Sequence, residues 1–207
     1  MNLSNQMFDV IKGDLEVLEQ GLQEAVTATN DRVTEVGMHI VTSGGKRIRP
    51  ALCLLSARGG KSFELSHVLP LAEALELIHT ASLVHDDVID EADTRRGAAT
   101  ANARWNNQVA ILSGDYIFAR AFTLIAEEGY EAYVSKRLAD LVCNLSVGEI
   151  IQDHAVYQAS RGMEDYYERI QKKTADFLEI CCELGGMVGG MDRDEMKKLA
   201  EYGHCIG

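Results

Sequence analysis

Proline is almost missing from this chain: it occurs twice in 207 residues, at Pro50 and Pro70. Aromatic residues are scarce as well, 6% of the total with a single tryptophan. A chain this poor in turn-formers and aromatics, and rich in Ala, Leu and Glu, suits long helices and poorly suits a sandwich or barrel. Positive charge is also in deficit, since 20 Lys and Arg stand against 32 Asp and Glu and leave a net charge of −12. That balance argues against binding nucleic acid or an anionic membrane surface through bulk charge. The five cysteines, adjacent at Cys181-Cys182 and scattered at Cys53, Cys143 and Cys205, form neither a zinc spacing nor a disulfide framework. Such usage fits a reduced, cytoplasmic setting. The N-terminus has no basic region followed by an apolar one, so no secretory signal is expected. Nor is any apolar run expected to be long enough to cross a bilayer. No internal repeat or low-complexity stretch occurs. One all-α domain over residues 1–207 is the expectation.

What is present centres on Ile78–Gly97, IHTASLVHDDVIDEADTRRG. An apolar helical stretch turns abruptly into the acidic cluster Asp86, Asp87, Asp90, Glu91 and Asp93. On a helix Asp86, Asp87 and Asp90 share one face. They fall where the helix is due to end, and a helix C-terminus disfavours anions. A hard divalent cation with oxygen ligands would offset that repulsion. His79, seven residues before Asp86, lies on the same stripe two turns back, and Arg95-Arg96 follow at once. Upstream, Ser43-Gly44-Gly45-Lys46-Arg47-Ile48-Arg49-Pro50 sets three cations in four positions behind two glycines, a pattern suited to an anion.

These motifs resemble the trans-type polyprenyl diphosphate synthases. Asp86-Asp87-Val88-Ile89-Asp90 with Arg95-Arg96-Gly97 is similar to the family's first aspartate-rich motif. Ser43–Pro50 is similar to its isopentenyl-diphosphate loop, and Lys172-Lys173-Thr174-Ala175 to its later Lys-Thr element. The resemblance covers essentially the whole chain, which stops just before the place where the family carries a Phe-Gln pair and a second aspartate-rich motif. It implies an antiparallel helix bundle around a central cavity, of the isoprenoid-synthase type and truncated at its C-terminus.

The implied reaction joins isopentenyl diphosphate to an allylic diphosphate with Mg2+, in a homodimer. Asp86, Asp87 and Asp90 would hold the metal. Lys46, Arg49, His79 and Arg96 would hold isopentenyl diphosphate, with Arg47 less securely placed. Arg95, Lys173 and Thr174 would hold the allylic diphosphate, with Gln152 near it. Positions four and five before the first aspartate wall the product tunnel in this family. They are Ser82 and Ala81 here, beside Ile78, so a product longer than farnesyl is expected. Without the second motif the diphosphate would be clamped from one side, and this exact chain is expected to be weakly active or inactive.

Three other readings stand beside this one. A non-catalytic subunit or remnant, acting by association, fits the early stop. A terpene cyclase shares the metal motif but has no need of the Lys46–Arg49 loop. A metal-dependent phosphohydrolase of the His-Asp type would use His79, His85 and Asp86, and leaves Lys46, Arg49, Arg95 and Arg96 unexplained.

Overall fold

The structure, a computed structural model, describes residues 8–155 and 162–207. Two compact units are distinguished: one comprises the residues up to Ala51 with Leu69–Glu128, the other Leu52–Val68 with Gly129–Gly207. The all-α expectation holds. Helix α1 is Lys12–Ala25, preceded by a short 3-10 turn at Asp9–Ile11, and α2 is Asp31–Thr42. The apolar spacing of Phe8, Ile11, Leu15, Leu18, Leu22 and Val26 predicts a first helix from about Ser4 to Ala28, and Ser4 lies outside the described residues. Ile11, Leu18, Leu22 and Val26 recur at helical spacing and are buried. Asn30 caps α2, its side chain accepting from the N–H groups of Arg32 and Val33.

Helix α3, Ile48–Arg58, carries Pro50 in its first turn, where a missing N–H costs nothing. The long helix α4 is Leu65–Ile89. The sequence predicts a start near Ser66 or Pro70; the helix begins at Leu65, beside the first of these, and Pro70 is its sixth residue. The lost hydrogen bond is confined to the second turn, and Leu71, Ala72, Leu75 and Ile78 are fully buried along the helix.

In the first unit, α4 is followed by a feature that the sequence did not suggest. Thr94–Arg95 (β1) and Ala98–Ala99 (β2) pair antiparallel, Thr94 opposite Ala99 and Arg95 opposite Ala98. Arg96 and Gly97 make the two-residue turn with φ of +54° and +84°, the primed geometry that suits a tight hairpin. The short helix α5, Ala101–Arg104, and then α6, Asn107–Glu128, complete the unit. Helix α6 corrects the expectation about apolar runs. It is 22 residues long and holds an 18-residue window of mean hydropathy 1.5, enough by length and composition to cross a membrane. Asp115 and Arg120 interrupt its apolar residues, so no run stands out by eye. Ala110, Gly114, Ile117, Ala121 and Ile125 are buried along it.

The second unit holds α7 (Ala132–Ala155), α8 (Met163–Ile170), α9 (Asp176–Val188) and α10 (Arg193–Ile206). The expected end of α7 near Gln158 and the loop at Arg161 lie outside the described residues. The sequence by itself predicts a single helix over Glu164–Met191; in the structure a π-helical turn, Gln171–Ala175, separates α8 from α9. Asp192 and Glu195 form the expected capping box at the start of α10.

Candidate active site

The acidic motif sits on the last turn of α4. Asp90 N–H donates to Asp86 O (2.8 Å), Glu91 N–H to Val88 O (3.4 Å) and Ala92 N–H to Asp87 O (2.9 Å). With Glu91 at φ +51°, this is a Schellman ending in which a glutamate occupies the left-handed position that usually takes glycine. Helix α4 thus stops at Ile89, and Asp90 belongs to the turn rather than to the helix. The Thr100 hydroxyl donates to Ala92 O (2.7 Å), and so does the Asn102 amide (3.0 Å), which pins the acidic turn from behind.

The three aspartates differ in surroundings. Asp87 is 5% exposed, Asp86 half-buried and Asp90 exposed. Arg95 Nε donates to Asp87 Oδ1 at 2.7 Å. Burial pushes the Asp87 carboxyl up, and Asp90 adds to this, while Arg95 holds it down. All three offer hard oxygen donors, the set that suits Mg2+. Among the described residues, the acidic and imidazole groups with ligand atoms all within 4.8 Å of one another are Asp176, Glu179 and His204, in the second unit. Arg137 already shares Glu179 and Glu183 there.

Four arginines of the first unit, Arg47, Arg49, Arg95 and Arg96, lie within electrostatic reach of His79. Burial lowers its pKa to about 3, aided by Arg49, Arg96, Arg95 and Arg47, so the imidazole is neutral at physiological pH. The next arginine of the hairpin, Arg96, donates from Nη1 to the carbonyl of Gly44. Gly45 admits the guanidinium groups: a Cβ there would lie 2.6 Å from Arg96 Nη1 and 3.0 Å from Arg47 Nη1. Lys46 is exposed and Arg49 half-buried. Gly44, Thr80, Asp87, Arg95 and Arg96 line one cavity. Ile78 and Ala81 are fully buried, and Ser82, half-buried, donates its hydroxyl to His79 O.

In the second unit Lys173 Nζ donates to Glu149 Oε2 (2.9 Å) and Gln152 Oε1 (3.4 Å). The Gln152 amide donates in turn to Glu149 Oε1 (3.0 Å). Thr174 is half-buried on the π-helical turn that also carries Lys173. Sequence reasoning paired Lys173 with Gln152 but missed Glu149. Its signal was its spacing, one turn before Gln152 on α7.

His85 does not join His79 or Asp86. Its Nε2 lies 3.1 Å from Ile111 O and 3.5 Å from Asp115 Oδ1, facing α6. The arrangement therefore does not favour a His-Asp hydrolase.

A family model described as polyprenyl synthetase matches residues 30–207. The chain belongs to the polyprenyl synthetase family. Heptaprenyl diphosphate synthase component 2 of Geobacillus stearothermophilus is 40% identical over 201 residues, covering 97% of this chain and 62% of the relative. This polyprenyl synthetase family chain is also similar to solved structures. A decaprenyl diphosphate synthase from Rhodobacter capsulatus matches with a TM-score of 0.92 at 34% identity, covering 99% of this chain and 62% of that one. A polyprenyl synthase from Caulobacter crescentus CB15, complexed with calcium and isoprenyl diphosphate, matches with a TM-score of 0.93 at 29% identity, covering 99% and 62%. The chain thus spans about 62% of the length of these relatives. The all-α fold is that of the isoprenyl diphosphate synthases.

Proposed function

We propose that this chain carries the catalytic machinery of a polyprenyl diphosphate synthase, condensing isopentenyl diphosphate with an allylic diphosphate to a product longer than farnesyl. The observation that carries this reading is the opposed reach of two adjacent arginines. Arg95 reaches to the acidic motif at Asp87, and Arg96 to the glycine loop at Gly44. A condensation of two diphosphates needs two anion sites side by side, one of them with metal. The longer products named for the heptaprenyl and decaprenyl relatives support the chain-length reading.

Asp86, Asp87 and Asp90 would hold Mg2+, which when bound stabilises the negative charge of the departing diphosphate. The related structure named with calcium and isoprenyl diphosphate supports a divalent-cation site. Arg95 would orient the allylic diphosphate in the first unit; in the second, Lys173 and Thr174, with Gln152 beside Lys173, offer further groups for a diphosphate. Lys46, Arg49 and Arg96 would hold isopentenyl diphosphate by charge-assisted hydrogen bonds. His79, kept neutral by burial and by the surrounding arginines, would donate one N–H to it. Ile78, Ala81 and Ser82 would flank the growing hydrocarbon.

The free thiols of Cys53, Cys143, Cys181, Cys182 and Cys205 support a reducing, cytoplasmic setting. Exposed Ile111 and Leu112 on α6 support an apolar contact with a second copy.

Labelled isopentenyl diphosphate supplied with geranyl or farnesyl diphosphate and Mg2+ tests the reading. Slow incorporation into an acid-labile product longer than farnesyl, abolished by a chelator, is expected. Absence of incorporation and of any diphosphate binding contradicts it. A second reading is favoured by the relative named as a component 2: the chain works only in association with a different subunit. In that case incorporation is absent alone and restored by the partner component.

A further inference from the structure

Of the three cations in Lys46–Arg49, Arg47 is the buried one, 8% exposed. Its guanidinium is satisfied by the protein itself. Nε donates to Glu19 Oε1 (2.5 Å), Nη1 to Glu76 Oε1 (2.8 Å), and Nη2 to both Glu19 Oε2 (3.0 Å) and Val41 O (2.9 Å). Four of the five N–H donors of an arginine are thereby used, which leaves no free fork for a phosphate. The backbone at Arg47 has φ +49°, a conformation that a non-glycine residue holds only when its surroundings impose it.

The anchor reaches the candidate site through Glu76. This carboxylate is 3% exposed and lies one turn before His79 on α4. Burial raises its pKa, while Arg47, Arg49 and Arg96 lower it, so it lies within electrostatic reach of all three arginines. Arg47 bonds to it directly, at 2.8 Å. With Arg47 in place, Glu76 has a fixed counter-ion of its own.

We propose that Arg47 is a positioning residue of the isopentenyl-diphosphate site. Clamped by Glu19, Glu76 and the Val41 carbonyl, it fixes the turn between Lys46 and Arg49 and keeps Glu76 occupied, without touching the diphosphate itself. The proposal rests on the reading of Lys46, Arg49, His79 and Arg96 as the groups that hold that ligand. Glu19 is the informative partner, because it lies at the rim of the clamp with its side chain 42% exposed. Its replacement loosens Arg47 without burying an unpaired charge.

Isothermal titration of the chain with isopentenyl diphosphate, for wild type, Arg47→Lys and Glu19→Ala, tests this. Lysine keeps the charge but cannot span both glutamates. Arg47→Lys is expected to weaken binding about tenfold or more, and Glu19→Ala by about threefold, a lost alignment rather than a lost contact. Both variants are expected to retain one ligand per chain and unchanged affinity for the allylic diphosphate. If Arg47 were itself a phosphate ligand, Glu19→Ala would release it and leave binding equal or tighter, which overturns the proposal. Loss of stoichiometry at unchanged affinity would restrict Arg47 to folding and also overturns it. A wild-type chain that binds neither isopentenyl diphosphate nor inorganic diphosphate overturns the functional reading beneath it, a distinguishable result.

Discussion

Arg95 Nε and Asp87 Oδ1 stand 2.7 Å apart, joining a cation proposed to meet the allylic diphosphate to a carboxylate proposed to hold the metal. The pair lets Asp87 remain nearly buried at the negative end of α4, where helix electrostatics disfavours it. A bound divalent cation would give Asp87, and a bound diphosphate Arg95, an alternative partner of opposite charge. Asp87→Asn keeps an acceptor for Arg95 but loses the charge that a metal needs. It is expected to leave the thermal midpoint nearly unchanged and to lower condensation by about 100-fold or more. Steady-state rates across a Mg2+ titration check this.

Gly114 makes room for His85. A Cβ at that position would lie 2.3 Å from His85 Nε2, and the ring is held by Ile111 O. Gly114→Ala must displace an imidazole one residue from Asp86, at a cost of about 1–3 kcal/mol. Chemical denaturation of the two proteins gives the difference directly. Gly13→Ala, where nothing lies within 4 Å, is the matching control.

Glu73 is 6% exposed beside α1, and a Cβ on Gly21 would overlap its carboxylate. Burial, with Glu24 adding, raises its pKa from 4.5 to about 7. Between those values the folded chain holds a proton that the unfolded chain releases, so this group makes stability fall as pH rises through that window. Relative to Glu73→Gln, the wild type is expected to lose about 3 kcal/mol from pH 4.5 to above pH 7. Parallel stability curves for the two proteins would refute this assignment.

Ala81 is fully buried, five residues before the first aspartate. As part of the proposed tunnel wall, Ala81→Phe is expected to shorten the main product. Chain length reports the wall independently of how much enzyme survives the overpacking. An unchanged product distribution removes Ala81 from the wall.

Much of the fold was legible because its signals are local. The spacing of Leu18 and Leu22, the cap at Asn30 and the capping box at Asp192 and Glu195 each act within one or two turns of chain. The features that escaped are decided by distant partners or by a shift in backbone register. Arg47 reads as one more exposed cation until Glu19 and Glu76, 28 and 29 residues away, turn it inward. The π-helical turn at Gln171–Ala175 leaves the composition of a helix intact while rotating the residues of α9 beyond it, so periodicity could not reveal it. The hairpin turn needed a positive φ at Arg96, a conformation that arginine does not advertise. The acidic motif was legible as a charge anomaly, whereas the unequal burial of Asp86, Asp87 and Asp90 came only from the packing around the end of α4.

The most direct measurement is anomalous scattering from crystals of the chain grown with Mn2+, standing in for Mg2+, and a non-hydrolysable diphosphate. A peak is expected at about 2.0–2.2 Å from carboxylate oxygens of Asp86 and Asp90, bridged to the diphosphate, with Arg95 moved from Asp87 onto it. Diphosphate bound elsewhere, or no manganese at the end of α4 while Arg95 stays on Asp87, would contradict the proposed site.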